Sequence, residues 1–279
     1  MKKIIIRILF IIGLFATLSV LLYPVIADYV NTRSQSRVTS NYLEDIAVID
    51  DGNRQAILEA AHAYNRALRQ NPDRFFYTDE EAAEYARQLD LGRGVMGILT
   101  IDKINVNLPI YHGTNEGVLQ IGSGHLQGTS LPVGGAGTHS FITGHRGLPS
   151  SKLLSNLDKL VEGDRFSLFI MGETLTYQVD QIQVVLPDEV NALDIHADLD
   201  YCTLVTCTPY GVNTHRLLVR GLRTENDVEN SRLDEHEENS KQLEKIVVLR
   251  IFLIPVIPVL LIITIIRCLK IFKKGRFHR

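Results

Sequence analysis

Twenty consecutive residues without a charge, Ile8–Ala27, constrain this chain more than any other feature of it. Only Thr17 and Ser19 are appreciably polar there. At about 1.5 Å per residue, one helix of this length crosses the ~30 Å hydrocarbon layer of a bilayer. A cleaved signal peptide has a shorter apolar region and a small-x-small cleavage site. The run instead ends in Tyr23-Pro24-Val25-Ile26-Ala27, so it reads as an uncleaved anchor. A second apolar run, Ile246–Ile266, contains Arg250, Pro255 and Pro258. Arg250 lies near one end, where it can snorkel to the interface. Two prolines suit a buried soluble helix badly, and the basic stretch Lys270–Arg279 follows as a stop-transfer tail would.

Charge is segregated in the same way. Residues 1–7 carry Lys2, Lys3 and Arg7, residues 267–279 carry six more Lys and Arg, and neither end has an acid. Setting those nine positive charges aside turns the net charge from −3 to −12 on residues 8–266. Basic ends around an acidic middle argue against nucleic acid and for a membrane protein. The positive-inside rule then predicts both termini in the cytoplasm and residues 28–245 outside. With 279 residues, 45% of them hydrophobic, the chain can bury a real core, which excludes intrinsic disorder. Three Cys make neither a disulfide framework nor a four-ligand zinc site.

Along the ectodomain, Asn31–Ser40 reads as a polar tether. Ile57, Ala60, Ala61, Tyr64 and Leu68 then fall on one helical face, and Asn71-Pro72 stops that helix. Thr78-x-x-Glu81 is a capping box opening a second helix to about Leu89, with Ala82, Tyr85, Ala86 and Leu89 as its stripe. From Val95 the texture changes to short β-type runs: Gly97–Ile101, Val106–Ile110, Thr138–Thr143, Arg165–Ile170, Thr174–Val185, Tyr201–Cys207 and Thr214–Gly221. Many short strands and few long helices predict a closed barrel or sandwich. Ser150–Leu160 reads as one short helix among them. Residues 224–245, with eight acids, read as a solvated linker.

Two thiols lie in the ectodomain, Cys202 and Cys207, both on the run Tyr201–Cys207. Five extended residues cover about 16 Å, beyond the ~7 Å limit for a disulfide, and the two side chains face opposite sides. Cys202 reads as a small core residue. Cys207 ends its strand before the turn Thr208-Pro209-Tyr210-Gly211, where it is either a reachable nucleophile or a buried free thiol. A cysteine nucleophile needs a base or imidazolium partner and a donor for the developing oxyanion. Of the ectodomain histidines, His145 ends a strand in the Gly-flanked loop Thr143-Gly144-His145-Arg146-Gly147. Arg216 lies across the turn from Cys207 on an otherwise apolar strand; a structural salt bridge is the alternative explanation for it.

The blocks TLVTCTPYGVNTHRLLVRG (203–221) and FITGHRG (141–147), with His, Cys and Arg in that order, resemble the sortases of Gram-positive bacteria. ILTIDKINVNLPIYHGT (98–114) and GHLQGTSLPVGGAGTHS (124–140) resemble the same family. The likeness covers roughly residues 95–223. With a helical N-terminal extension and a second anchor, the chain is similar to class C, the pilin-polymerising sortases. That resemblance implies a mainly β fold: a closed eight-stranded barrel with N-terminal helices and a membrane helix at each end. It implies transpeptidation, with Cys207 as acyl-thioester nucleophile, His145 as proton donor and acceptor, and Arg216 positioning substrate and stabilising the transition state. Thr206 and Thr208, either side of Cys207, complete the candidates as substrate contacts. The implied partners are surface-protein precursors bearing an LPXTG-like signal and the acceptor Lys of a pilin subunit, with the membrane lipid around the anchors and no nucleic acid. No metal or organic cofactor is required. A peptidoglycan-precursor acceptor is the alternative within the family. A papain-like hydrolase is disfavoured by the His-before-Cys order, and a non-enzymatic tethered barrel is the most distant reading.

The resulting organisation is a cytoplasmic segment (1–7), a membrane helix (8–27), a helical extension with a possible lid (28–94), the catalytic barrel (95–223), an acidic linker (224–245), a second membrane helix (246–266) and a basic tail (267–279). The lid is where the sequence departs from class C. Those enzymes commonly cover the active site with an Asp-Pro-aromatic tripeptide, whereas this chain has Asn71-Pro72-Asp73-Arg74-Phe75-Phe76. Either Asp73 with Phe75 or Phe76 forms a degenerate lid, or the standard plug is missing. The expectation is an accessible Cys207.

Overall fold

A computed structural model describes residues 2–189 and 193–226. Most of the acidic linker, from residue 227, the second apolar run and the basic tail lie outside the described residues. The described part falls into two units, residues 2–29 and residues 30–226.

Helix α1 (Lys2–Val48) is the only one among the described residues long and apolar enough to cross a membrane. In its first unit Phe10, Phe15, Val20 and Leu21 are exposed. The hydroxyls of Thr17 and Ser19 donate back to the carbonyls of Gly13 and Phe15, each at 2.9 Å. Their polar groups are thereby satisfied within the helix, as an apolar surrounding demands.

The expected tether at Asn31–Ser40 is instead helical, as the second part of α1. Gln35, Thr39, Tyr42 and Ile46 are buried and recur at helical spacing. The Tyr42 hydroxyl donates to the Met96 carbonyl (2.9 Å) and accepts from the Met171 amide (3.0 Å), and Gln35 donates to the Ile121 carbonyl (3.0 Å). This face docks through hydrogen bonds together with an apolar cluster of Tyr42 and Ile46 against Val95 and Ile98, and its polar members make a hydropathy reading take it for linker.

Helix α2 (Asp51–Gln70) follows, capped by Asp50 and ending at Asn71. Its buried line runs through Leu58, Ala61, Asn65 and Leu68, with Ala60 exposed. The line is rotated from the expected one because Asn65 is a core residue. Its side chain accepts from the Leu131 amide (2.7 Å) and donates to the Leu131 carbonyl (3.1 Å). Helix α3 (Asp79–Arg87) opens with the expected capping box, Thr78 and Glu81 each bonding the other's backbone.

The barrel consists of β1 (Val95–Ile101), β2 (Val106–His112), β3 (Ser123–His125), β4 (Thr138–Thr143), β5 (Arg165–Ile170), β6 (Glu173–Val185), β7 (Asp200–Thr208) and β8 (His215–Arg223), with helix α4 (Glu116–Ile121) between β2 and β3. It closes in the order β1-β2-β3-β4-β7-β8-β6-β5. The β2–β3 and β4–β7 pairs are parallel and the rest antiparallel. Leu99, Ile101, Ile142, Leu168, Cys202, Leu204 and Val219 fill the interior. Ser150–Leu160 is not the expected helix. It is a run of turns with one 3-10 turn (Leu157–Lys159), held down by buried Leu153, Leu154, Leu157 and Leu160.

Candidate active site

Strand alternation sorts the residues of β7. Cys202 and Leu204 point into the core and Thr206 is buried with them, so Thr203, Val205 and Cys207 lie on the outer face. Burial pushes the Cys202 thiol well above its ordinary value, which leaves it protonated and inert. Cys207 is half-buried.

Register brings the other candidates to it. Cys207 pairs directly with Arg216 on β8, and antiparallel partners project from the same face of the sheet. On the other side, parallel β4 pairs Thr143 with Val205. The ladder runs one step further, the Gly144 amide donating to the Val205 carbonyl at 3.0 Å. Two residues past Thr143 stands His145, and two past Val205 stands Cys207. Register therefore sets Cys207 and Arg216 in one row, and His145 stands in the loop that leaves the end of the adjacent strand β4.

Local contacts fix each of the three. A Cβ on Gly144 would lie 2.7 Å from Leu154 Cγ, so glycine lets the chain press close as it turns to present His145. The buried Thr206 hydroxyl donates to the Gly144 carbonyl (2.8 Å), and the Leu154 amide donates to the His145 carbonyl (3.2 Å). Thr206 thus ties the strand of Cys207 to the loop of His145. Thr208 is half-buried and accepts from Arg146 Nη1 at 3.4 Å. Arg216 Nη1 donates to the carbonyls of Asn213 (3.3 Å) and His215 (3.1 Å). Among the described residues it makes no ion pair, so the salt-bridge explanation of this arginine has no partner here.

Glu116 was not legible as a site residue. It lies in the first turn of α4, and both its carboxylate oxygens are 3.3 Å from His145 Nε2. Donation from Gln120 and the charge of His145 hold its carboxyl below the usual carboxylate range. The only sequence signal was Asn115, whose side chain caps the helix by accepting from the Val118 amide.

The outer face of the same strands carries a cavity of about 520 Å³ lined by Gln183, Val185, Thr203, Leu218 and Arg220, among others. Val185 pairs with Arg216 in register, so the cavity begins beside the row and extends away from it. Its far wall, from the β6–β7 connection, is latched by His139. Burial pushes that imidazole down to about 4. The neutral ring donates from Nδ1 to the Asp194 carbonyl (2.7 Å), which leaves Nε2 to accept from the Thr203 hydroxyl (2.8 Å). His125 is likewise buried, is pushed down to about 4 and is bonded to Tyr85 and Ser130, so it is structural.

The segment Asn71–Tyr77 does not contact the row by any hydrogen bond, ion pair or aromatic contact among the described residues. Asp73 is exposed, Phe76 is 85% exposed, and Phe75 lies against Gly128. Arg74 Nη2 donates to the Leu193 carbonyl (2.8 Å). A plug would lower the fraction of open protein and slow any reagent at the thiol. Replacing both aromatics (Phe75→Ala, Phe76→Ala) in the detergent-solubilised chain, in a Cys202→Ala background, should change alkylation of Cys207 by less than about threefold, under ~0.7 kcal/mol. A rise of tenfold or more with unchanged circular dichroism would establish a lid.

Comparison with known proteins places this geometry. The family model described as a sortase domain matches residues 99–224. Sortase D of Bacillus subtilis is 28% identical over 130 residues, covering 46% of this chain and 63% of that protein. Sortase A of Streptococcus agalactiae is 32% identical over 117 residues, 41% of this chain and 47% of that protein. The matched region thus spans less than two thirds of the curated relatives' length. Among solved structures, sortase C1 from Streptococcus agalactiae is 49% identical with a TM-score of 0.66, covering 68% of this chain and 100% of that one. Sortase C of Streptococcus pneumoniae is 41% identical with a TM-score of 0.62, covering 68% of this chain and 97% of that one.

Proposed function

The chain belongs to the sortase family, and on that premise we propose that it is a membrane-anchored cysteine transpeptidase of the pilin-polymerising class. The observation that carries this reading is the register that pairs Cys207 with Arg216 and lays their strand beside β4, whose following loop carries His145. Two further points support the class. Solved structures similar to this chain include enzymes named sortase C, and the Streptococcus pneumoniae enzyme among them is described as having pilin substrate specificity.

In this reading the cavity holds an LPXTG-like sorting signal with its Thr carbonyl at Cys207. The sulfur attacks that carbon, the Thr–Gly bond breaks, and His145 protonates the leaving amine. Arg216 donates to the oxygen that gains charge in the tetrahedral state. The product is a thioester on Cys207. The ε-amine of a Lys on a second subunit then attacks the same carbon. The C–S bond breaks, the amine's proton passes to His145, and an isopeptide bond remains.

Incubating the full chain with candidate pilins, and separately with a peptidoglycan precursor, tests the class. Mass spectrometry should place a Thr-to-Lys isopeptide link between pilins. Transfer to the precursor instead would make this an anchoring enzyme. Failure to capture any acyl group on Cys207 would leave a non-enzymatic barrel.

A further inference from the structure

The steps of acyl transfer make no use of Glu116, yet it touches the one group in them that carries a proton. Resting on that reading, we infer that Glu116 is a positioning residue: its carboxylate takes the Nε2 proton of His145 and so leaves Nδ1 as the nitrogen that gives and receives the proton of acyl transfer.

Both carboxylate oxygens of Glu116 stand 3.3 Å from His145 Nε2. Gln120 donates to Glu116 Oε1 at 2.5 Å, and that donation, with the histidine beside it, holds the carboxyl below the usual carboxylate range. An ionised carboxylate only accepts, so the ring must present its N–H at Nε2. In the neutral ring the free lone pair is then on Nδ1, which no hydrogen bond occupies among the described residues. In the first half-reaction the Nδ1–H bond of the imidazolium breaks and its proton goes to the nitrogen of the leaving Gly. In the second, Nδ1 takes a proton from the attacking ε-amine. The ring ends the cycle as it began, and its Nε2 proton never leaves.

The Glu116 side chain is 70% exposed and that of His145 23%. Surface ion pairs add little to stability, so the effect of this contact lies in orienting the ring. The backbone around it is built for that. Gln35 of α1, only 8% exposed, donates to the Ile121 carbonyl at the end of α4 (3.0 Å) and to Ser151 Oγ in the β4–β5 connection (3.4 Å). Ser151 in turn bridges to Leu148, and the Leu154 amide holds the His145 carbonyl (3.2 Å). Asn115 caps the other end of α4. One buried side chain therefore holds both the helix of Glu116 and the connection that begins with His145, which fixes the spacing of the two.

Two measurements on the full, detergent-solubilised chain test this. In the first, the histidines are labelled with 15N and the ring N–H groups are observed by NMR in a Cys207→Ala background. The signals of His145 are those missing from a His145→Gln chain. An N–H protected from solvent exchange should appear at Nε2 with Glu116 in place and be lost to exchange in Glu116→Leu. In the second, with Cys207 intact, Glu116→Leu should lower kcat for hydrolysis of an LPXTG-like donor peptide by about tenfold or more with KM changed less than about twofold. Glu116→Gln, whose amide oxygen can accept the same proton, should be at least about threefold faster than Glu116→Leu. Glu116 is exposed, so neither change disturbs the core. A ring proton on Nδ1, an Nε2 proton equally protected in Glu116→Leu, or a kcat for that variant within about twofold of the parent would each overturn the assignment. Failure of the wild-type chain to cut the donor peptide would count against the transpeptidase reading, and the ring-proton measurement would still decide the Glu116 contact.

Discussion

Cys207→Ala will form no thioester and no cross-linked product, while Cys202→Ala will keep most of its turnover. The two thiols share one strand, yet their surroundings are opposite. Cys202 is completely buried, with its thiol pushed far from ionisation, whereas Cys207 is half-buried in register with Arg216. Truncating Cys202 removes one sulfur from the core, a loss of about 1 kcal/mol at the small end of cavity-forming changes. On the proposed mechanism, truncating Cys207 removes the sulfur that carries the acyl group. Mass spectrometry of the protein after mixing with an LPXTG-like peptide reads both variants directly. Equal loss of turnover in two well-folded variants would refute the assignment.

Arg216→Lys will lose on the order of 10²-fold or more in kcat/KM, the scale of removing an oxyanion donor, with the fold retained. The guanidinium is oriented by two carbonyls, those of Asn213 and His215, which hold one edge of the planar fork. An ammonium is a compact charge on a flexible stem; it cannot satisfy those carbonyls and also aim a second, rigid donor at the reacting oxygen. If Arg216 served only as a charge on the sheet, Lys would serve nearly as well. Steady-state hydrolysis of the donor peptide distinguishes the two, and a near-wild-type rate for the Lys variant would remove Arg216 from the chemistry.

The two halves of the site differed in how far the sequence exposed them. Cys207 and Arg216 flank a short turn between two β-type runs, so antiparallel pairing across that turn already set them opposite each other. His145 could be chosen for its loop, but the approach of that loop to the strand of Cys207 depends on parallel pairing of β4 with β7, which local pattern does not encode. Glu116 was further from view, because its partner stands 29 residues away and its helix is only six residues long. In the fold, seven of the eight strands could be read from β-type runs. The exception, β3 (Ser123–His125), has no apolar side chain at all. It is buried because it pairs on both sides and because His125 finds hydrogen-bond partners, not because it is hydrophobic. The docking face of α1 escaped for the same reason, its buried residues being Gln, Thr and Tyr as much as Ile.

The parallel β4–β7 pair has a consequence for when this protein can act. Two parallel strands cannot be joined by a tight hairpin, and here the whole of β5 and β6 is threaded between them. Every chain segment that includes both His145 and Cys207 therefore includes the part of the barrel that must be wrapped before they meet. Contacts between residues so far apart in sequence form late, because the loop between them must be closed first. On the proposed function, a chain still being made carries its thiol without the partners assigned to it, and acyl transfer begins only when the sheet has closed around its own core.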